Sequence, residues 1–159
     1  MEGVILTKQK KDIFYTHMSM IFEALGNVET QYNWLITDYE CNYYQSPITF
    51  DKRHDYIWLP GEELSLFIKE NDLQFIWGVF SAFPKNIDIN GVLKYELPKS
   101  NKDFFNKKRV EMQHPLSTIE IVSCDSSSVF VISNINDYIN SFSKHFPAGE
   151  NLQEYINKL

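Results

Sequence analysis

The stretch from Leu73 to Phe83 reads Leu-Gln-Phe-Ile-Trp-Gly-Val-Phe-Ser-Ala-Phe and is the most apolar run in the chain. It constrains the fold more than any other stretch. A membrane-spanning helix needs about 20 apolar residues, and no segment here approaches that length. The length of the run and its Ile, Val, Phe and Trp content instead suit a central β-strand covered on both faces. Gly78 marks a candidate bulge inside it, and Phe83-Pro84 ends it.

The other elements follow from periodicity and punctuation. Gly3 to Thr7 predicts a short strand. Phe14, Met18, Ile21, Phe22 and Leu25 recur on one helical face, which predicts a helix over about 11–25, closed by Gly26 in a left-handed position. Residues 31–39 read as a strand. Ile48-Thr49-Phe50 predicts a brief pairing segment, and Asp51 to Asp55 a charged loop or hairpin tip. Tyr56 to Leu59 is a further strand. Pro60-Gly61-Glu62-Glu63 opens a helix with Leu64, Phe67 and Ile68 as its stripe, and Asn71-Asp72 ends it.

Asn90-Gly91 predicts a turn into a strand over Val92–Leu97. The polar stretch 98–116, punctuated by Pro98 and Pro115, predicts a long or mobile loop, with a helical turn at Lys102–Lys107. Thr118–Cys124 and Ser128–Ile132 read as two strands joined through Asp125-Ser126-Ser127. Asn134 is placed to cap a helix, with Asp137 at the third helical position. Its stripe is Ile135, Tyr138, Ile139, Phe142 and Phe146, and Pro147 ends it. Leu152, Tyr155, Ile156 and Leu159 give a last amphipathic helix. Strands in runs with helices between some of them predict an α+β fold: a mostly antiparallel sheet with helices packed on one side. A length of 159 residues without repeat or linker predicts one domain over 1–159.

Composition narrows the function classes. The formal net charge is −6 and the pI about 5.2, which repels phosphate backbones. Lys8, Lys10 and Lys11, and Lys107, Lys108 and Arg109, are only short runs, so nucleic acid is not an expected partner, whereas a basic protein is compatible. Cys41 and Cys124 form no CxxC and read as buried thiols. Met1 to Leu6 has no charged lead or long apolar stretch, so a cytoplasmic, non-membrane protein is expected. Aromatic residues make up 15% of the chain. Ile occurs 16 times and Asn 13 times against three Ala and two Arg, the skew of AT-rich coding, which accounts for most of the rings.

Catalytic signatures are missing from the sequence. The glycines form neither GxGxxG nor GxxxxGK[ST], and there is no GxSxG. The histidines His17, His54, His114 and His145 show no HExxH or HxH spacing, so no metal or cofactor is expected. Asp51, His54 and Asp55 are the closest local grouping and read as a solvated tip. His17 flanks the first helix's apolar stripe as a structural histidine, and His145 complements a helix C-terminus. His114 precedes Pro115 in the polar loop. Glu120 lies within the sheet-like run Thr118-Ile119-Glu120-Ile121-Val122. On a half-buried strand it faces water with Thr118, which is the expectation. With both faces covered it would need a partner or a raised pKa, and could pair with Asp125. Cys124 with a histidine is a remote nucleophile pair, and Asp125 to Ser128 reads as a hairpin turn before an anion site.

Asn33-Trp34-Leu35-Ile36, Ala82-Phe83-Pro84, Pro115, Ile119-Glu120-Ile121-Val122 and Asp125-Ser126-Ser127 together resemble small bacterial proteins classed as domains of unknown function. The resemblance implies a bacterial source and a stand-alone domain, and it brings no catalytic residues. The small, acidic, aromatic-rich profile is also similar to that of immunity proteins, which block a toxin by binding it. The leading expectation is therefore a non-enzymatic protein-binding module. Its expected anchors are Tyr32, Trp34, Tyr39, Tyr43, Tyr44 and Trp58, ringed by Asp38, Glu40, Glu62 and Glu63. A small-ligand binder with an aromatic-lined pocket is the second expectation. An enzyme using Glu120, Asp125 or His54 is the third.

Overall fold

The computed structural model describes residues 1–7, 16–42, 55–71 and 74–159. Among these residues, seven strands form one sheet: β1 (Glu2–Thr7), β2 (Tyr32–Asn42), β3 (Tyr56–Pro60), β4 (Gln74–Pro84), β5 (Ile119–Cys124), β6 (Ser128–Ser133) and β7 (Glu150–Asn151). Their spatial order is β3-β2-β4-β5-β6-β1-β7, and every neighbouring pair is antiparallel. The helices are α1 (Met18–Ala24), α2 (Gly61–Glu70), α3 (Ile89–Val92), α4 (Asn136–His145) and α5 (Leu152–Asn157). The fold is α+β, as the order of elements predicts.

β4 lies between β2 and β5, and Val79 to Phe83 are all buried, so the apolar run is a strand covered on both faces. On one face Val4, Leu6, Trp34, Ile36, Phe80, Ile121 and Val131 pack against α1, α2 and α4 through Phe22, Leu64, Ile139 and Phe142. Phe22 stands edge-on to Trp34, with centroids 5.1 Å apart. On the other face Ile5, Val79, Val122, Phe130 and Ile132 meet Phe104 and, from α5, Leu152 and Ile156. Leu35 and Phe83 on that side lie under Val92 of α3. Helices on one side only is therefore corrected. The strands between β2 and β1 are apolar on both faces, and the second face is closed by the long connection after β4 and by α5.

The connection from Lys85 to Thr118 departs most from expectation. Asn90-Gly91 is not a hairpin turn. The Asp88 carboxylate accepts from Gly91 N at 2.8 Å and caps a helical turn, so α3 replaces the expected strand. The stretch 98–116 is not a free loop. It contains the expected turn as a 3-10 helix over Lys102–Asn106, and it is pinned to the sheet by buried Ser100, Phe104 and His114.

Further on, β5 and β6 form the expected hairpin, with Asp125 and Ser126 both at positive φ (52° and 56°). Asn134 does not cap α4. Ile135 is the N-cap residue and no side chain caps the helix; Ser133 Oγ accepts from Ile135 N at 3.0 Å, and Ile135 is 37% exposed rather than part of the stripe. Leu159 is likewise exposed, while Leu152 and Ile156 are buried. Gly26 closes α1 at φ 87° as predicted. The expected start of that helix at 11–15, the pairing segment 48–50 and the tip residues Asp51, Lys52, Arg53 and His54 lie outside the described residues.

Candidate functional site

β2 does not run straight along β4. Thr37 pairs with Val79, but the next pair is Glu40 with Trp77, which leaves one extra residue on β2. This is a β-bulge, the device that bends a strand and re-aims its side chains. Asp38 sits in it at φ 46°, a left-handed conformation that Asp tolerates better than most residues. Its carboxylate is turned across the sheet end: Ser100 N donates to Oδ2 at 2.7 Å and Ser100 Oγ at 2.9 Å. Ser100 Oγ also lies 3.0 Å from the Asp38 carbonyl oxygen. Thr37 Oγ1 donates to the Pro98 carbonyl at 2.8 Å. Together these bonds clip the rib Leu97-Pro98-Lys99 over the bulge.

Between rib and bulge lies a cleft of about 530 Å³, lined by Thr37, Asp38, Tyr39, Asp55, Leu97, Pro98 and Lys99. A smaller cleft of about 260 Å³ also borders the rib, and there Asn101, Asp103, Lys107 and Gln113 contribute. The larger one is acidic. Asp38, Asp55 and neighbouring Glu40 are exposed, and the Lys99 ammonium is already 3.3 Å from Glu96 Oε1. Such a lining favours a cation, with the half-buried Tyr39 ring as an apolar wall.

The expected anchors separate on folding. Trp34 is wholly buried and its Nε1 donates to the Glu29 carbonyl at 2.8 Å. Tyr32 is buried as well, its hydroxyl 2.8 Å from that of Tyr138. Both rings belong to the core, because β2 is an inner strand whose helix-facing side takes its largest side chains. As surface anchors they are corrected. Trp58 is half-buried and packs on Phe83, with centroids 5.6 Å apart. Tyr39 alone of the described set lines the cleft; Tyr43 and Tyr44 lie outside the described residues. Of the acids, Asp38 lines the cleft, exposed Glu40 lies further along β2 outside that lining, and Glu62 and Glu63 lie on α2.

The expectation that Glu120 faces water is corrected too. It is fully buried, because the connection after β4 covers this side of β5. Gln113 N donates to its Oε2 at 2.8 Å, and His114 N and Ser117 Oγ donate to its Oε1 at 2.8 and 2.9 Å. Burial pushes its pKa up; those three bonds and the charge of Lys107 pull it back. His114 is buried between Phe83 and Tyr95, and its pKa is lowered by burial. Nδ1 accepts from Leu116 N at 3.2 Å, so Nε2 is the ring donor, to the Val92 carbonyl at 2.9 Å. Asp125 is exposed at the hairpin turn and is not brought to Glu120. Cys124 is buried against Ser100, and burial pushes its thiol up to about 12, far from nucleophilic. Among the described residues no three His, Cys, Asp or Glu side chains converge as metal ligands.

The rib residues Leu97, Pro98 and Lys99 and their clip Ser100 carried no sequence signal beyond the proline, because the rib acts through backbone atoms and position, and a single serine whose hydroxyl meets Asp38 belongs to no motif. No helix among the described residues is long and apolar enough to cross a membrane. No family model, curated protein or solved structure matches the chain.

Proposed function

We propose that the protein is a non-enzymatic binding module of the immunity-protein kind, and that it docks a basic protein partner at the cleft between the β2 bulge and the rib. The observation that carries this reading is the lining itself: Asp38 and Asp55 beside the Tyr39 ring, in a cleft of about 530 Å³. An arginine or lysine side chain fits such a lining through charge and ring contact. Cys41 and Cys124 are not joined in a disulfide, which accords with a reducing, cytoplasmic setting.

The test is capture of the stoichiometric partner by the tagged protein at low and high salt, repeated with Asp55→Lys and with Tyr39→Ala. The expected partner is basic, is lost at high salt and is weakened by both substitutions. Capture unaffected by both would discard the cleft as the docking site. The volume also lies within the range of small-molecule sites, so a small organic cation is the second reading. A thermal-shift rise with arginine or a polyamine, without a protein partner, would favour it.

A further inference from the structure

Gln113 joins the buried Glu120 to the rib that walls the cleft. Its backbone N–H is held by Glu120 Oε2. Its side-chain amide grips the Lys99 backbone in both directions: Lys99 N donates to Oε1 at 2.9 Å, and Nε2 donates to the Lys99 carbonyl at 2.9 Å. One residue on, Ser100 N is held by Asp38. The rib is thus suspended between two carboxylates, Asp38 on the bulge and Glu120 inside the molecule.

We propose that Glu120 is a positioning residue for the cleft, setting the place of Lys99 and Ser100 through Gln113. The effect on binding rests on the docking role proposed for the cleft; the positioning itself does not. The ionised carboxylate accepts all three of its donors at once. A proton on it relieves the buried charge but converts one acceptor site into a donor and loosens the Gln113–His114 turn. Ser81, directly opposite in β4 and on the same face, has a buried hydroxyl with no partner among the described residues, an acceptor in the same layer. The other groups around Glu120 are Ile132 across in β6, the neutral His114 and, acting at longer range, Lys107. The rib's position therefore follows the charge of Glu120.

The test is a pH titration of the free protein between pH 4.5 and 9, following backbone amide signals by NMR. The Gln113, His114, Lys99 and Ser100 amides are expected to move with one shared midpoint. Gln113→Ala should leave the movement at residue 113 and His114 and abolish it at Lys99 and Ser100. It should also speed hydrogen exchange at the Lys99 amide roughly fivefold to tenfold, the factor for one lost hydrogen bond of about 1 kcal/mol. Glu120→Gln should abolish the midpoint everywhere, and if that variant fails to fold, Gln113→Ala decides alone. No shared midpoint, or an unchanged Lys99 response in Gln113→Ala, would overturn the proposal. A shared midpoint with no captured partner supports the positioning and discards the docking role. A captured partner whose affinity ignores Gln113→Ala would overturn the link between the two.

Discussion

Glu120 shows how far one side chain's role depends on what covers it. In sequence it alternates with apolar neighbours as a solvent-facing residue would, yet it is buried with three donors around it. Glu120→Gln replaces one acceptor oxygen by an NH2 group aimed at a donor. It should destabilise the fold by roughly 1–3 kcal/mol in urea melts near pH 5. The sign of the pH dependence follows from linkage. Burial holds the folded carboxyl above its ordinary value of 4.5, so its contribution is full below that pH and is lost as pH rises through the folded value. The deficit of the Gln variant should therefore shrink as pH climbs; a deficit growing with pH would contradict this. Cys124 gives a second residue-scale outcome. Its protonated, buried thiol should resist iodoacetamide at pH 8 in the native protein and react on unfolding, as read by intact mass.

At the scale of elements, the β5–β6 hairpin carries local strain. Ser126 stands at φ 56°, where an L side chain costs about 1–2 kcal/mol and glycine does not. Its backbone bonds, from Ser126 N to the Ile76 carbonyl and from Thr16 Oγ1 to the Ser126 carbonyl, survive the loss of the side chain. Ser126→Gly should therefore raise stability by up to about 1 kcal/mol, measured as a higher urea midpoint at unchanged slope. The connection after β4 makes the opposite point. A polar stretch with two prolines suggests mobility, but its amides at Ser100, Gln113 and His114 are bound to carboxylates. They should exchange slowly in native-state hydrogen exchange, at rates nearer those of β5 than those of the exposed turn at Lys85–Asn86.

For the whole molecule, the decisive property is that both sheet faces are apolar. α5 is short, but Leu152 and Ile156 are buried against the second face. Ending the chain at Gly149 removes both, and at about 1.5–3 kcal/mol per buried aliphatic side chain it should cost roughly 3–6 kcal/mol. It should also expose enough of Ile5, Phe130 and Ile132 to raise dye binding to apolar surface. Full stability after that truncation would show that the second face needs no helix. The net charge of −6 acts on the same scale, so any docking at the cleft should weaken as salt shortens the reach of these charges.

The elements whose apolar spacing was unambiguous were legible from residues alone: β4, the β5–β6 hairpin, the buried stripe of α2 and the glycine end of α1. Local periodicity and turn chemistry are properties of neighbouring residues, so they survive without a structure. The cleft was legible only as its parts, Asp38, Tyr39 and Asp55, and its bulge only through Gly78, which lies in β4 opposite the extra residue of β2. Whether Trp34 met solvent, whether Glu120 met water, and whether residues 98–116 moved freely were decided by tertiary packing. Each depends on which segment covers which face of the sheet, and that is a property of contacts between residues far apart in the chain.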